Sequence, residues 1–201
     1  MAHYSSDVRI VVCASADLVA GHEFDAELDL FRRPALQRAA LAEIAEDPES
    51  CVSVALTTGE PTKVVGYAAF HAQAQQAAGS SRVLELGALE VAPAYRRRGI
   101  ASSLLKSSFA GGRFDAAVVF ARLYAWHYDL GRTGLGPLAY RRFLKRLYGG
   151  SGLEVVTTRQ GGDGAPAVHG ADLIMARFGP DADALSVESF KIALGVRRST
   201  T

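Results

Sequence analysis

The sequence has 201 residues, 49% of them hydrophobic, and a formal net charge of +1 at pH 7. A chain of this length and composition can bury one full core. We therefore expect a single domain, with its core over about residues 8–178 and a C-terminal helical tail over residues 179–201. The near-neutral charge gives no general attraction to nucleic acid or to an anionic membrane, and no segment approaches the ~20 apolar residues of a membrane span. These properties exclude nucleic acid and membranes as expected partners.

The cysteines and the first residues of the chain indicate the cellular compartment. The chain has two cysteines, Cys13 and Cys51, and both lie in apolar, strand-like runs. This placement predicts reduced core residues rather than a disulfide framework. Residues 1–7 are polar and contain no hydrophobic stretch of signal length. The sequence thus favours a cytoplasmic protein.

The chain opens with a strand followed by helices. Residues 8–13 are a β-branched run that predicts a first strand, and apolar residues then recur at near-helical spacing over residues 17–31. Pro34 suits the first turn of a second helix, which Asp47 and Pro48 should end.

Strands predominate in the next segment. Residues 51–56 and 63–70 predict two strands of a hairpin, joined by a turn that contains Gly and Pro. Residues 72–81 are low in complexity and predict a loop, and residues 82–91 predict a long strand.

The second half of the chain alternates between strands and helices. The predicted elements are a helix at 100–109, a strand at 116–123, a helix at 137–147, and strands at 153–158 and 171–178 around a Gly-rich loop at 160–170. Alternation of this kind predicts a mixed α/β fold.

A basic turn between the long strand and the next helix predicts an anion site. The strand breaks at Pro93, and three consecutive arginines and Gly99 lead into the helix. A helix start presents unsatisfied N–H groups and the positive end of the helix dipole to one place. Glycine allows close backbone approach, and arginines add planar donors that match phosphate oxygens. The segment therefore predicts a pyrophosphate site of the kind that coenzyme A needs.

The pattern Val91-x-Pro93-x-Tyr95-Arg96-x-x-Gly99-Ile100-Ala101 resembles the acyl-CoA-binding motif of the GNAT superfamily of N-acetyltransferases. The resemblance implies the GNAT fold, a mixed central β-sheet flanked by helices on both faces, with acetyl-CoA as cosubstrate. It also implies that backbone groups of residues 89–91 lie beside the thioester. The implied cofactor-binding residues are Leu89, Glu90, Val91, Arg96, Arg97, Arg98, Gly99, Ile100, Ala101 and Ser102.

Acetylation of a lysine needs a base, because a lysine amine with a pKa near ~10.4 is protonated at neutral pH. Glu85 precedes Arg96 at a spacing that resembles that of the general-base glutamate in lysine-acetylating members. Apolar neighbours in the strand could raise its pKa to a useful value. Glu90 is a second, weaker candidate. Glu85 is alternatively an exposed strand carboxylate that pairs with Arg82 or with a neighbouring strand.

Tyrosines are candidates for protonating the leaving thiolate. Tyr148 and Gly152 echo the Tyr-x-x-x-Gly spacing at which many superfamily members place a general acid, although Leu153 departs from the aromatic residue expected there. Tyr140 competes with Tyr148 for this role. Packing is the alternative for both, since a thiolate near neutral pH can leave without a dedicated acid.

A narrower resemblance rests on four segments, residues 22–24, 30–34, 85–93 and 126–135. They look like the acetoin-utilisation acetyltransferases, which are similar to protein lysine acetyltransferases that modify acetyl-CoA synthetase. The implied partner is a lysine of an AMP-forming acetyl-CoA synthetase. In the last segment His127 could act as an auxiliary base with Asp129 as its partner, or the aromatic residues around it could simply fill the core.

Two other functions stay open. The protein could acetylate a small amine, or it could be a catalytically silent sensor that binds acyl-CoA. A small-amine enzyme should have a closed acidic pocket, whereas a sensor should be indifferent to Glu85→Gln. The histidines are scattered without metal-ligand spacing, so we expect no metal.

Overall fold

The computed structural model describes residues 7–73, 79–156, 171 and 173–194. These residues form a mixed α/β fold with a sheet of eight strands and six α-helices. None of the helices in these ranges has the length and apolar character needed to cross a membrane. The strands are β1 (Val8–Val11), β2 (Glu23–Phe24), β3 (Cys51–Thr57), β4 (Lys63–Ala72), β5 (Arg82–Val91), β6 (Ala117–Leu123), β7 (Glu154–Val155) and β8 (Leu173–Phe178). The helices are α1 (Ala16–Gly21), α2 (Pro34–Glu46), α3 (Ile100–Phe109), α4 (Leu130–Thr133), α5 (Pro137–Gly149) and α6 (Ala184–Ala193).

The chain divides into two compact units. The first contains residues up to His71 together with Leu86–Gly111, and the second contains Ala72–Glu85 together with the residues from Gly112 onward. Strand β5 contributes its first four residues to the second unit and the rest to the first.

In the first unit, the predicted hairpin forms the centre of the sheet. Strands β3 and β4 pair antiparallel with Cys51 opposite Phe70, and β1 pairs antiparallel with the other edge of β3. The short strand β2 runs parallel to β4. Helix α2 begins at Pro34 as predicted, since proline there lacks only an N–H that would have no intrahelical partner. The core beneath includes Val19, Leu28, Leu41, Val54, Leu56 and Tyr67.

The predicted helix over residues 17–31 was wrong beyond its first turns. Helix α1 ends at Gly21, and β2 follows at once by pairing with β4. The apolar residues after it, Phe24 and Leu28, are buried without being helical. Pairing with a distant strand therefore prevailed over the local spacing.

The prediction of reduced cysteines was also wrong. Beyond β1 the chain stays beside β3, because the Ala14 N–H donates to the Val52 carbonyl at 2.7 Å. This places Cys13 next to the start of β3, where it forms a disulfide with Cys51 across a Cα–Cα distance of 4.7 Å. Thirty-eight positions separate the two cysteines, so the contact depends on strand pairing that the local sequence does not reveal.

In the second unit, β5 and β6 pair in parallel, with Glu85 opposite Phe120. Strand β8 pairs antiparallel with β6 and with the two-residue β7. The predicted strand at 153–158 is therefore shorter in the described part, and the predicted loop at 160–170 lies outside the described residues. The predicted loop at 72–81 is described only at its ends.

The tail after Phe178 forms helix α6, which packs on its own unit. The centre of the Phe190 ring lies 5.2 Å from the centre of the Phe120 ring and 6.1 Å from that of the Phe178 ring. Asp183 caps the helix by accepting the Ser186 N–H at 2.9 Å, and the same carboxylate accepts the Ser81 N–H at 2.8 Å. These hydrogen bonds hold the pKa of Asp183 below its usual range. One carboxylate thus ties α6 to the start of β5.

Candidate active site

The anion site predicted from the basic turn lies entirely in the first unit. Strand β5 ends at the buried Val91, and a 3₁₀ turn over Pro93–Tyr95 leads to the arginines. The Nε of Arg96 donates to the Val91 carbonyl at 2.9 Å. This bond fixes the start of the turn to the end of the strand, while Arg97 and Arg98 remain exposed.

Two residues of the turn have left-handed backbone. Arg97 has φ of 61° and Gly99 has φ of 78°, a region that costs an L-residue about 1–2 kcal/mol. A Cβ on Gly99 would meet nothing within 4 Å. Gly99 is therefore required by its backbone conformation, and the space in front of it is open.

The start of α3 is suited to an anion. Gly99 is the N-cap and supplies no side-chain hydrogen bond, and the first turn contains no acidic residue. The N–H groups of Ile100, Ala101 and Ser102 have no intrahelical acceptor by helix geometry. Ile100 is buried and anchors the turn. The exposed arginines and the helix dipole add positive charge, so the residues present fit a pyrophosphate.

Arg98 has partners of its own. Its guanidinium carbon lies 5.2 Å from the centre of the Tyr95 ring, and one of its nitrogens lies 4.0 Å from an Asp7 carboxylate oxygen. The pair with Asp7 is solvent-exposed and therefore weak. Arg98 is thus held loosely, with its other donors facing water.

Glu90 is buried in the first unit between two neutral donors. One carboxylate oxygen accepts the Tyr67 hydroxyl at 2.6 Å, and the other accepts the Leu30 N–H at 2.9 Å. Burial raises the pKa of Glu90, although both hydrogen bonds oppose the rise. Burial and the neighbouring carboxylate also raise the pKa of Tyr67. Glu90 therefore holds the irregular segment at Leu30 against β4.

Glu85 lies in the second unit and is only 8% exposed. The guanidinium of Arg122 donates to both of its oxygens: Nε to Oε1 at 2.9 Å, and Nη2 to Oε2. These bonds raise the pKa of Arg122. The alternative was wrong about exposure and about Arg82, which donates to the Arg113 carbonyl, but Glu85 does pair with a neighbouring strand, since Arg122 lies on β6.

His127 lies in a 3₁₀ turn over Ala125–His127 in the second unit. Its ring packs edge-to-face with the rings of Tyr124 and Trp126, with 5.7 Å and 6.0 Å between ring centres. Partial burial lowers the pKa of His127, so the neutral imidazole that can accept a proton is favoured. Asp129, the suggested partner of His127, accepts the Arg132 N–H as the cap of α4. Trp126 is 69% exposed, so it does not fill a core.

The two candidate tyrosines lie on the buried side of α5. Tyr140 is 8% exposed and stacks on Tyr128 with 5.0 Å between ring centres. Tyr148 is 5% exposed, and burial raises its pKa, with Tyr140 adding to the rise. Both rings therefore pack in this unit, and Tyr148 keeps its proton at neutral pH.

The structure groups the predicted residues by unit. Glu85, His127, Tyr140 and Tyr148 belong to the second unit, and all ten predicted cofactor-binding residues belong to the first. Among the described residues, no group of three or more His, Cys, Asp or Glu side chains is arranged to hold a metal ion.

Sequence reasoning missed the partners of both glutamates. Arg122 is a single cation within the otherwise apolar strand β6, and a cation in such a strand signals a buried partner. Tyr67 is a fully buried tyrosine in β4, and a buried hydroxyl requires a hydrogen-bond partner. Both signals indicate that a partner exists without saying which residue it is.

The fold and the basic turn define a class of enzyme. Residues 20–113 match the Acetyltransferase (GNAT) family, a span that includes β5, the arginines and α3. The chain belongs to the GNAT family of acetyltransferases, enzymes that transfer an acetyl group from acetyl-CoA.

Within this family the chain is similar to acetoin utilization proteins. It is 30% identical to the acetoin utilization protein AcuA of Bacillus subtilis (strain 168) over 182 residues, which are 88% of this chain and 83% of AcuA. A crystal structure of an acetoin utilization protein from Exiguobacterium sibiricum superposes with a TM-score of 0.81 at 31% identity, covering 95% of this chain and 89% of that one. The structure of AtaTR bound to acetyl-CoA shares the fold with a TM-score of 0.50 at 11% identity, covering 85% of this chain and 92% of that one.

Proposed function

We propose that this protein transfers the acetyl group of acetyl-CoA to the ε-amine of a lysine in an AMP-forming acetyl-CoA synthetase. The observation that carries the proposal is the similarity to AcuA over 88% of the chain. The resemblance of the acetoin-utilisation acetyltransferases to enzymes that modify acetyl-CoA synthetase supplies the substrate. We also propose the cytoplasm as the site of reaction, a proposal that the Cys13–Cys51 disulfide deprives of the support expected from reduced cysteines.

The start of α3 would bind the pyrophosphate of acetyl-CoA. Its amides and the side chains of Arg96, Arg97 and Arg98 supply the donors, and the left-handed Gly99 leaves the approach open. Backbone groups of Leu89, Glu90 and Val91 would face the pantetheine arm and the thioester, where an N–H can stabilise the oxyanion of the tetrahedral intermediate.

Glu85 is the proposed general base. The lysine nitrogen attacks the thioester carbonyl carbon, a C–N bond forms, and the C–S bond breaks. The nitrogen must lose a proton in this sequence, and a placed carboxylate that takes it contributes ~10²–10⁴ in rate. Arg122 fixes the orientation of the Glu85 carboxylate, which supports this role. Glu90 is the weaker candidate, because both of its oxygens hold the structure of the first unit together.

Tyr148 and Tyr140 are the proposed donors of a proton to the departing thiolate. Burial raises the pKa of Tyr148, so Tyr148 is a weaker acid than an exposed tyrosine. His127 is the proposed auxiliary base, since its lowered pKa favours the neutral ring. Each of these roles is secondary to that of Glu85.

The test is mass spectrometry of acetyl-CoA synthetase from the same source after incubation with acetyl-CoA and this protein. We expect one added acetyl group on a single lysine, and we expect it to be lost with Glu85→Gln. If acetyl-CoA binds while the synthetase and all its lysines stay unmodified, the proposed substrate is wrong. Acetylation of small amines in the same mixture would then identify the other enzymatic function.

Calorimetry tests the cosubstrate site separately. We expect Arg96→Ala and Gly99→Glu to weaken acetyl-CoA binding at least about ten-fold, because each removes or opposes positive charge at the helix start. Arg9→Ala is the matched control, since Arg9 is an exposed arginine on β1 of the same unit. Equal affinities in all four proteins would contradict the assignment of the helix start to the pyrophosphate.

A further inference from the structure

Helix α5 carries an unusual concentration of positive charge for a chain that is nearly neutral overall. Between Pro137 and Gly149 it contains no carboxylate and four cations. The cations are Arg141, Arg142, Lys145 and Arg146. Like charges three or four positions apart on a helix repel one another, and no acidic residue of this helix offsets them. The arrangement therefore lowers the stability of the helix and indicates that these charges serve a function.

Three of these cations share the solvent-exposed face. Tyr140, Leu144 and Tyr148 form the buried stripe, and helical spacing places Arg142, Lys145 and Arg146 on the opposite side. Within the ranges that the structure describes, no ion pair or side-chain hydrogen bond engages these three residues. Arg146 lies in the last turn, where the helix dipole favours a cation, but Arg142 is too far from the end to benefit.

Large apolar side chains accompany the charges. Leu138 is 69% exposed and lies one turn before Arg142, and Phe143 is 38% exposed on the edge of the same face. The stacking of Tyr128 on Tyr140 joins α5 to the 3₁₀ turn that presents Trp126, which is 69% exposed. Exposed aromatic residues beside arginines are typical of protein-binding hot spots.

We propose that the exposed face of α5 docks an acidic surface of the protein substrate, the surface that surrounds the acceptor lysine. The inference rests on the proposed function and adds a recognition surface to it. Carboxylates of the partner would pair with Arg142, Lys145 and Arg146, while Leu138 would contact an apolar residue at the centre. Docking of this kind raises the association rate and sets the substrate preference without taking part in the chemistry.

Protein fits this face better than nucleic acid or a membrane. The chain's net charge of +1 gives no general attraction to nucleic acid or to anionic lipid. Leu138 and Phe143 are also separated by cations instead of forming the continuous apolar face that inserts into lipid.

Steady-state acetylation of the synthetase tests the proposal. The double variant Arg142→Glu/Arg146→Glu should raise KM for the synthetase about ten-fold or more, with kcat within about two-fold of wild type. Arg9→Glu/Arg33→Glu is the matched control, because it changes the net charge equally at exposed positions of the first unit. Leu138→Ala should raise KM about three-fold, and added salt should raise the wild-type KM but not that of the double variant.

Binding of the synthetase without acetyl-CoA, measured by interferometry, separates the two proposals. If the wild type acetylates the synthetase and the double variant does so with the same KM, the docking face is wrong and the proposed function stands. Absence of both acetylation and binding in the wild type would overturn both. A labelled RNA hairpin and phosphatidylserine vesicles serve as the competing probes, and binding of either through Arg142 and Arg146 with an unchanged synthetase KM would also overturn the proposal.

Discussion

Two buried glutamates on the same strand have opposite surroundings. Glu85 faces a guanidinium that donates to both of its oxygens, whereas Glu90, five residues later, is held by a hydroxyl and a backbone N–H. The first carboxylate has a full countercharge. The second has none in direct contact, and burial raises its pKa.

The difference separates the carboxylate proposed as the general base from one that holds structure. A guanidinium fork fixes a carboxylate in one plane through two parallel hydrogen bonds. Glu90 instead binds the backbone of a residue 60 positions away, so moving it would release a segment of chain. The comparison predicts kinetic effects at Glu85 and stability effects at Glu90.

The largest expected effect is the loss of acetylation rate in the Glu85→Gln variant. We expect kcat to fall by about two orders of magnitude or more, because the amide cannot accept the proton of the amine. Acetyl-CoA affinity measured by calorimetry should stay nearly unchanged. Glu154→Gln, an exposed glutamate on β7 of the same unit, is the control. Full activity of Glu85→Gln across the pH range would remove Glu85 from the mechanism and leave the sensor function open.

Tyr67→Phe should affect stability more than rate. It removes a hydrogen bond to a buried carboxylate, which we expect to lower the free energy of unfolding by about 1.5–3 kcal/mol. Urea denaturation measures the change, and Tyr95→Phe, on a half-buried ring of the same unit, serves as reference. A loss no larger than that of Tyr95→Phe would mean that Glu90 does not hold the structure as described.

Substitutions of Arg122 test whether the orientation of Glu85 affects the rate. We expect Arg122→Gln to lower kcat about ten-fold, because Glu85 loses its fixed orientation. Arg122→Lys keeps the positive charge without the planar fork and should recover only part of the rate. A purely structural Arg122 would lower the free energy of unfolding and leave kcat of the folded enzyme unchanged.

The smallest expected effect is the pH dependence of stability due to Glu90. Its folded-state pKa is raised, so the folded protein binds this proton more tightly than the unfolded chain does. The contribution to stability is therefore complete at low pH and declines as the pH rises above the usual value of 4.5. The unfolding free energy of wild type relative to Glu90→Gln should fall as the pH rises above about 4.5. A difference that rises with pH instead would contradict the raised pKa of Glu90.

The sequence allowed the elements of the proposed cosubstrate site to be predicted closely. Strand β5 and helix α3 have the predicted bounds, because a strand that ends at a proline and a helix that begins at a left-handed glycine are specified by adjacent residues. The GNAT family followed from the same segment. Predictions of this kind need no knowledge of distant contacts.

The failures share a dependence on contacts between distant positions. The apolar spacing of residues 17–31 suggested a helix, but β2 pairs with β4 and Glu90 binds the Leu30 N–H instead. The disulfide of Cys13 and the pairing of Glu85 with Arg122 depend on strand registers across 38 and 37 positions. No local pattern encodes these registers, although the arginine within β6 indicated that a partner was needed.

The attachment of α6 has a consequence for the minimal length of the enzyme. Ser81, at the start of the strand that carries Glu85, is 4% exposed and donates its N–H to Asp183. A chain that stopped at Phe178 would leave this buried donor without its acceptor and would uncover the Phe120 ring that Phe190 covers. The residues after the last strand therefore belong to the folding unit of the proposed base, and they cannot be trimmed as a dispensable tail.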